Sequence, residues 1–292
     1  MNIERRLNTH DRTARMVRSR NLLVALTAAV LLLPASVRAD LSLETETARM
    51  LAPGHLELSM AGEYQFSREG GEFALPLALE IGVLPRLELL IEPTPYVGIY
   101  PKGGKNINGI GDVEVTTTFL ALKERDFLPA IAFAFELKIP TAQDLQIGTR
   151  KTDVAFYFIN SKLIGPLDLH LHVGYTVLGE PTGVSVKNTY QFALAGNYKL
   201  NPKWDVFAEA MYTSSARGSS ESGGVSGEGG VSGEGGVSGE GGNLAMAEVG
   251  GLEVIGTAGV RHHLRPDLDV FGSFSYDNAD AKMVRTGLTL KF

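Results

Sequence analysis

The chain has no cysteine. That excludes disulfides, thiol nucleophiles, iron–sulfur clusters and cysteine-ligated zinc. It has a single tryptophan. Nowhere does an apolar run reach the length of about 18 residues that a membrane helix needs, and no amphipathic helix of useful length can be traced. Basic residues are also scarce beyond the first forty positions. Residues 1–39 hold seven arginines and two acids, Glu4 and Asp11; the rest holds 20 basic against 31 acidic residues, a net charge of −11. Nucleic acid is a poor partner for such a surface, because phosphate contacts need a basic one.

The beginning reads as an export signal. A basic stretch, "MNIERRLNTHDRTARMVRSR", precedes an apolar run at residues 22–33, then Pro34 and "ASVRAD". Val37 and Ala39 are the small residues a signal peptidase reads, so cleavage is expected after Ala39. The basic part is long enough for Met16 to serve as an alternative start. About a dozen apolar residues suit a signal peptide better than an uncleaved anchor. Residues 40–54 are then a short periplasmic N-terminal segment, able to fold into a barrel mouth as a partial plug.

After residue 55 the dominant pattern is period-two alternation. In "AIAFAFELKI" (Ala130–Ile139), Ile131, Phe133, Phe135, Leu137 and Ile139 share one face; Ala132, Ala134, Glu136 and Lys138 share the other. "LDLHLHVGYTV" (Leu167–Val177) sets Leu167, Leu169, Leu171, Val173, Tyr175 and Val177 against Asp168, His170, His172, Gly174 and Thr176. Successive side chains of a strand point to opposite faces, so each segment has an apolar face and a polar one. Twelve such segments are predicted, near 55–67, 72–84, 87–98, 108–123, 129–140, 153–164, 167–179, 188–200, 204–215, 253–264, 268–277 and 281–292. Most exceed the roughly 5–6 residues of soluble sandwich strands and match the about 9–11 that cross a membrane at a tilt.

The connections alternate too. "LPR", "ERDFL", "GP", "NPK" and "RPD" are tight; 99–107, 141–152, 180–187 and 216–252 are longer and more polar, although "REGGE" and "DNAD", at outer positions, are short. That sorting is expected of an all-β, transmembrane up-and-down antiparallel β-barrel of about 12 strands spanning 55–292, with turns at the periplasmic end and loops outside. The repeat "GGVSGEGGVSGEGGVSGEGG" (223–242) falls at an outer-loop position. Nothing there needs to pack, and each doubling of loop length costs only about 0.6 kcal/mol. We read 216–252 as a flexible, solvated loop. Calcium-binding repeats are nonapeptides with Asp, whereas this is a hexapeptide with one Glu; its lone Val is too little apolar surface for a solenoid.

The last residues, "RTGLTLKF", alternate and end on an aromatic. Arg285-x-Gly287-x-x-Leu290-x-Phe292 resembles the C-terminal signal by which bacterial outer-membrane barrels are recognised for insertion. The resemblance implies the barrel-assembly machinery as a partner, adding the terminal strand edge-on. The chain as a whole resembles the outer-membrane proteins named for the meta-pathway of phenol degradation, often called simply "transporter". The likeness runs from "ETARMLAPGHLEL" (46–58) through "GIGDVEV" (109–115) and "LHLHVGYT" (169–176) to "GVRHHLRPDLDVFGSFSY" and the terminal strand, with the hexapeptides as a departure. It implies a bacterial outer-membrane barrel passing small, hydrophobic or aromatic solutes, in contact with outer-membrane lipids.

No catalytic or cofactor motif is found. The His-x-Ser-Asn-Gly-like stretch of outer-membrane phospholipase is absent, and the rim acids Asp144, Asp153 and Asp277 have no nearby histidine in sequence. We therefore expect no enzyme and no cofactor. Asp168-x-His170-x-His172 is the best metal candidate, since alternate residues share a strand face; ordinary lumen residues bonded to neighbours are the favoured reading. The alternation predicts Glu57, Glu92, Glu114, Glu136, Lys138, Asp168, His170, His172, Lys199, Asp205, Glu209, Arg261, Asp269 and Arg285 as inward-facing, pore-lining candidates. Such charges either line a narrow pore or zip it shut, and an excess of acids favours cations or neutral solutes. The expected particle is a monomer. The alternatives are a closed structural barrel displaying its surface loop and an outer-membrane enzyme.

Overall fold

The computed structural model describes residues 42–181, 185–216 and 252–292. The expected signal peptide and most of the expected loop 216–252, with all of the hexapeptide repeat, lie outside the described residues. Among the described residues fifteen strands follow one another: β1 (Leu56–Phe66), β2 (Gly70–Ala74), β3 (Leu77–Leu84), β4 (Leu87–Pro93), β5 (Val97–Pro101), β6 (Ile107–Gly109), β7 (Val113–Leu122), β8 (Ala130–Ile139), β9 (Asp153–Ile164), β10 (Leu167–Val177), β11 (Thr189–Asn201), β12 (Trp204–Thr213), β13 (Glu253–Arg265), β14 (Leu268–Asp277) and β15 (Lys282–Lys291). All pairings are antiparallel, and β15 pairs with β1, so the sheet closes on itself.

The fifteen strands make twelve staves. β2 and β3 form one stave, β4 and β5 a second, β6 and β7 a third; each is interrupted for two or three residues. β1 pairs with both β2 and β3, β5 with β2, and β4 with β3. The breaks fall at Pro76, at Thr94–Pro95–Tyr96 and around Gly111. Proline cannot donate to a ladder, and a side chain on Gly111 would press on Thr94 at 2.8 Å. The breaks are adjacent: Leu75 N–H donates to Tyr96 O at 3.0 Å and Gly111 N–H to Thr94 O at 2.8 Å. The wall therefore bends along one line instead of opening.

The alternation places apolar side chains outside and polar ones inside, the reverse of a water-soluble protein. On β8, Phe133 and Phe135 are exposed while Ala132 and Ala134 are buried; on β10, Leu171 is exposed while Asp168, His170 and His172 are buried. Outer rings meet across strands: Phe133 with Phe158 (5.7 Å between centroids), Phe135 with Phe156 (5.3 Å) and Tyr175 with Tyr190 (5.0 Å). Trp204 stands beside the 202–203 turn and lies against His262 at 4.1 Å. A closed antiparallel barrel with this outer belt leaves no unpaired edge to lipid.

Candidate functional site

The interior is polar, and its polarity is uneven. The four staves from β1 to β7 turn Glu57, Glu63, Glu72, Glu80, Glu88 and Glu92 inward, all buried, with Glu114 half-buried among them. Every lysine and arginine described along this stretch, Arg68, Arg86, Lys102 and Lys105, is exposed. The other eight staves mix signs. Lys138 pairs with Asp153 and lies 3.9 Å from Asp112. Arg261 lies 3.9 Å from Asp205 and its guanidinium sits 5.8 Å over the Phe207 ring. His263 is held between Asp205 (3.0 Å) and Asp269 (2.8 Å), and Lys291 also pairs with Asp269. Arg285 reaches its cross-strand partner Glu63 at 2.7 Å.

Into this lumen runs the segment 42–54. Apart from Gly54, whose N–H donates to Gly82 O at 2.7 Å, the segment is not part of a ladder, so its backbone donors need acceptors from elsewhere. The wall supplies them as side chains. Thr45 N–H donates to Glu209 Oε2 at 2.7 Å, Glu46 N–H to His172 Nδ1 at 3.1 Å, Ala48 N–H to Ser161 Oγ at 2.9 Å and Leu51 N–H to Glu88 Oε2 at 2.5 Å. Those acceptors stand on β12, β10, β9 and β4, so the segment is gripped from several sides. Its own side chains add to the grip. Arg261 donates to Ser42 Oγ at 2.6 Å, and Glu44 pairs with Arg285. Leu43 packs against Ala61, Ala78, Leu90, Phe207 and Phe271, while Ala48 joins Leu120, Ala130, Ala132 and Ile159. By reaching Arg285 and Glu63 the segment passes the middle of β1.

Arg49 is the strongest anchor. Its guanidinium grips both oxygens of Asp168, at 3.0 and 2.5 Å, and Glu124 at 2.7 Å. A planar guanidinium matches a carboxylate in this two-point way. Glu124 sits in the turn between β7 and β8. Its partial burial would raise its pKa, but Lys162 (2.8 Å), Arg49 and the Leu163 N–H (3.0 Å) outweigh that and hold it at about 2.

Asp168, His170 and His172 each meet a protein partner. Asp168 is occupied by Arg49. His172 accepts from Glu46 N–H on Nδ1, which makes Nε2 the protonated nitrogen, donating to Gln191 Oε1 at 2.9 Å. His170 Nδ1 meets Ser161 Oγ at 2.9 Å. Among the described residues no three His, Asp or Glu side chains converge to hold a metal ion. The Ser161–His170 contact is not arranged for nucleophilic attack either. His170 Nε2 is 3.8 Å from Asp168, beyond a hydrogen bond, and Ser161 is wholly buried beneath Ala48.

Of the predicted inward residues, Glu57, Glu92, Lys138, Asp168, His170, His172, Asp205, Glu209, Arg261, Asp269 and Arg285 are buried on the inner face, and Glu114 and Glu136 are half-buried there. Lys199 stands directly opposite the buried Asp205 on the same face and is exposed, beside the turn that follows β11. Sequence reasoning missed Glu63, Glu72, Glu80 and Glu88, although the same alternation marks them ("LALEIGVL" sets Ala78 and Glu80 opposite Leu79 and Ile81). It also missed Ser42, Glu44, Thr45 and Arg49 as lumen residues, since 42–54 has no periodicity to read.

In the terminal stretch, Arg285 faces the lumen. Gly287 lies under Phe271, where a Cβ would collide with the ring. Leu290 is half-buried, and Phe292 is exposed. Phe292 N–H and O pair with Leu56 at 2.8 and 3.2 Å, extending the β15–β1 seam.

Beside the segment a cavity of about 30 Å³ remains, bordered by Glu57, Glu80 and Glu92 on one side and His170, Asn197 and Arg261 on another. That is room for little more than a water or two.

Comparison with known proteins agrees with this architecture. None of the curated proteins matches the chain. Among solved structures, an outer membrane channel from Pseudomonas putida F1 superposes with a TM-score of 0.60 at 12% identity, covering 87% of this chain and 100% of the other. The NanC porin gives 0.53 at 12% identity, covering 80% of this chain and 100% of the other. At such identities the likeness speaks for the fold: a closed, twelve-staved transmembrane barrel. The sequence itself matches the profile of one family over residues 70–238, more than half the chain. This chain belongs to the family described as "Putative MetA-pathway of phenol degradation".

Proposed function

We propose that the protein is a passive outer-membrane channel for small solutes, exported by a cleaved signal peptide and working as a monomer. The observation that carries this reading is the polar lumen threaded by a segment held through side-chain hydrogen bonds. A barrel meant only as an anchor is well served by a dry, interlocked interior. Here the wall bonds to the segment are of the kind that water or a passing solute can replace. Family membership adds small hydrophobic or aromatic compounds as the solute class to try first. The fold relatives whose names are those of a channel and a porin support the same view. Arg285, Gly287, Leu290 and Phe292 serve the assembly machinery in this proposal, and the outer aromatic belt meets lipid.

The lumen residues work here as binding and positioning groups, with no bond made or broken. Ser161 and His170 lack the orientation and access that catalysis needs, which supports a non-enzymatic reading.

A second reading has its own observation. The cavity beside the segment holds only about 30 Å³, which favours a closed barrel that displays its outer loops. Planar-bilayer conductance and liposome swelling decide between the two. The full chain should conduct in small steps, and a variant lacking residues 40–54 in larger ones. If neither conducts and neither admits solute, the channel reading is wrong. If deletion of residues 223–242 then abolishes binding to a surface partner while the barrel stays folded, the display reading takes its place.

A further inference from the structure

Two phenylalanines depart from the polar rule of the inner face. Phe207 stands between Asp205 and Glu209 on β12, and Phe271 between Asp269 and Ser273 on β14. Both rings are buried, 3% and 6% exposed. The wall is shaped to receive them. Gly259 is the cross-strand partner of Phe207, and Gly287 that of Phe271. A Cβ on either glycine would collide with the ring beside it. With Ala61, Ala78 and Leu90 the two rings make an apolar patch in the lumen.

Two arginines border the patch. Arg261 is the cross-strand partner of Phe271, and its guanidinium stands 5.8 Å from the centre of the Phe207 ring. Arg285 lies two residues before Gly287 on β15 and so shares its face. Apolar ground between guanidinium groups suits an anion with an apolar body, since a guanidinium matches a carboxylate in a planar, two-point way.

The N-terminal segment shows what fits there. Leu43 packs on the patch, Glu44 pairs with Arg285, and Ser42 Oγ accepts from Arg261 at 2.6 Å. Adjacent residues thus supply an apolar body and a carboxylate. Each arginine also keeps an acid of the wall: Arg285 meets Glu63 at 2.7 Å, and Arg261 lies 3.9 Å from Asp205. The segment satisfies the remaining side. Its withdrawal takes a partner from two buried cations, a costly loss, and a solute carboxylate makes it good. The fit of Leu43 is also incomplete, because the cavity of about 30 Å³ is bordered by Leu43, Ala78, Leu90 and Arg261. A phenyl ring is bulkier than the leucine side chain, and phenylalanine rings favour an aromatic neighbour.

We infer that Phe207, Phe271, Arg261 and Arg285 form a binding site for small aromatic carboxylates, and that Ser42, Leu43 and Glu44 occupy it as a built-in stand-in. This rests on the channel reading and deepens it: it names the solute class and the place in the lumen where solute and segment compete.

The test is calorimetric titration of the folded barrel in detergent at pH 7 with benzoate, and with acetate and benzyl alcohol as probes that lack the ring or the charge. The variant without residues 40–54 should bind benzoate about tenfold or more tightly than the full chain, because the competing state is gone. It should bind acetate and benzyl alcohol more weakly than benzoate. In that variant Phe271→Ala should weaken benzoate several-fold, and Arg261→Gln should weaken benzoate more than benzyl alcohol. Gel mobility before and after boiling establishes that each variant is a folded barrel. Should the wall variants not fold, the full chain carrying Leu43→Ser and Glu44→Gln decides, since both positions lie outside every strand; it should bind benzoate more tightly than the unaltered full chain. A folded, conducting deletion variant that binds benzoate no better than acetate overturns the inference and leaves the channel reading standing. So does benzoate binding that the folded Phe271→Ala and Arg261→Gln variants retain in full. Benzoate binding lost in those variants, with no conductance from either form of the chain, upholds the site and overturns the channel reading.

Discussion

The lumen has two unlike halves. From β1 to β7 the inward charges are glutamates, and the bases of that stretch point outward. From β8 to β15 both signs turn inward, and several meet as close opposite pairs: Lys138 with Asp153, His263 with Asp205 and Asp269, Lys291 with Asp269. Coulomb attraction inside a barrel is strong, but so is the cost of removing charges from water. The paired half balances much of its charge within itself, and Arg49 of the segment takes up Asp168. The acidic half turns no described base of its own inward and draws Arg285 across from β15 to Glu63. The N-terminal segment and the cavity beside it touch both halves.

The sharpest way to break that contrast is to remove a base from the paired half. Arg285→Met leaves Glu63 and Glu44 buried without their partner, and loss of one member of a buried ion pair typically costs about 3–5 kcal/mol. The temperature at which the unboiled band disappears on a gel should fall further than for Arg49→Ala or Glu80→Gln. Next comes Arg49→Ala. It releases Asp168 and Glu124 together, at a cost of about 1–3 kcal/mol that falls on the docking of the segment more than on the barrel. Larger or more frequent conductance steps with little change in gel stability are expected; unchanged conductance with a weakened barrel would show that Arg49 serves the wall instead.

Acid should act at the same anchor. Glu124 titrates at about 2 in the folded protein against its ordinary 4.5. A lowered folded pKa means that the contribution is complete above pH 4.5 and is lost as pH falls toward 2. Conductance attributable to segment release should therefore be flat from pH 7 to about 4.5 and rise below it. In Glu124→Gln this rise should be absent. Smallest of all is the effect of Glu80→Gln on stability. Taking one charge from the acidic half should leave the gel transition unchanged or slightly raised, within about 1 kcal/mol. A marked loss would mean that Glu80 is a structural member of the wall, and the contrast between halves would disappear.

Much of this was legible before any coordinates. Period-two alternation in "AIAFAFELKI" and "LDLHLHVGYTV" is dictated by lipid on one side and water on the other, so strands, faces and barrel class all followed from it. The twelve predicted segments match the twelve staves even where β2 and β3 are split, since a prolyl interruption of two residues preserves the parity of the faces. Lys199 shows the limit: alternation gives its face, opposite Asp205, and does not say that a place beside the turn leaves it exposed. A partial plug at the barrel mouth was expected of residues 40–54, but the contacts that hold it were hidden. Its docking depends on backbone N–H groups, which every residue but proline carries, and such contacts leave no mark on composition or period. The pairing of Asp168 with Arg49, 119 positions apart, exists only once the barrel has closed.

The hold on the segment has a consequence for how such a chain tolerates change. Thr45, Glu46, Ala48 and Leu51 are grasped by their amide hydrogens, while the specificity resides in Glu209, His172, Ser161 and Glu88 on the wall. A lock that reads the main chain accepts many keys. At those four positions the amide contacts themselves bar only proline, whereas Leu43, Glu44 and Arg49 hold the segment by their side chains and cannot drift so freely.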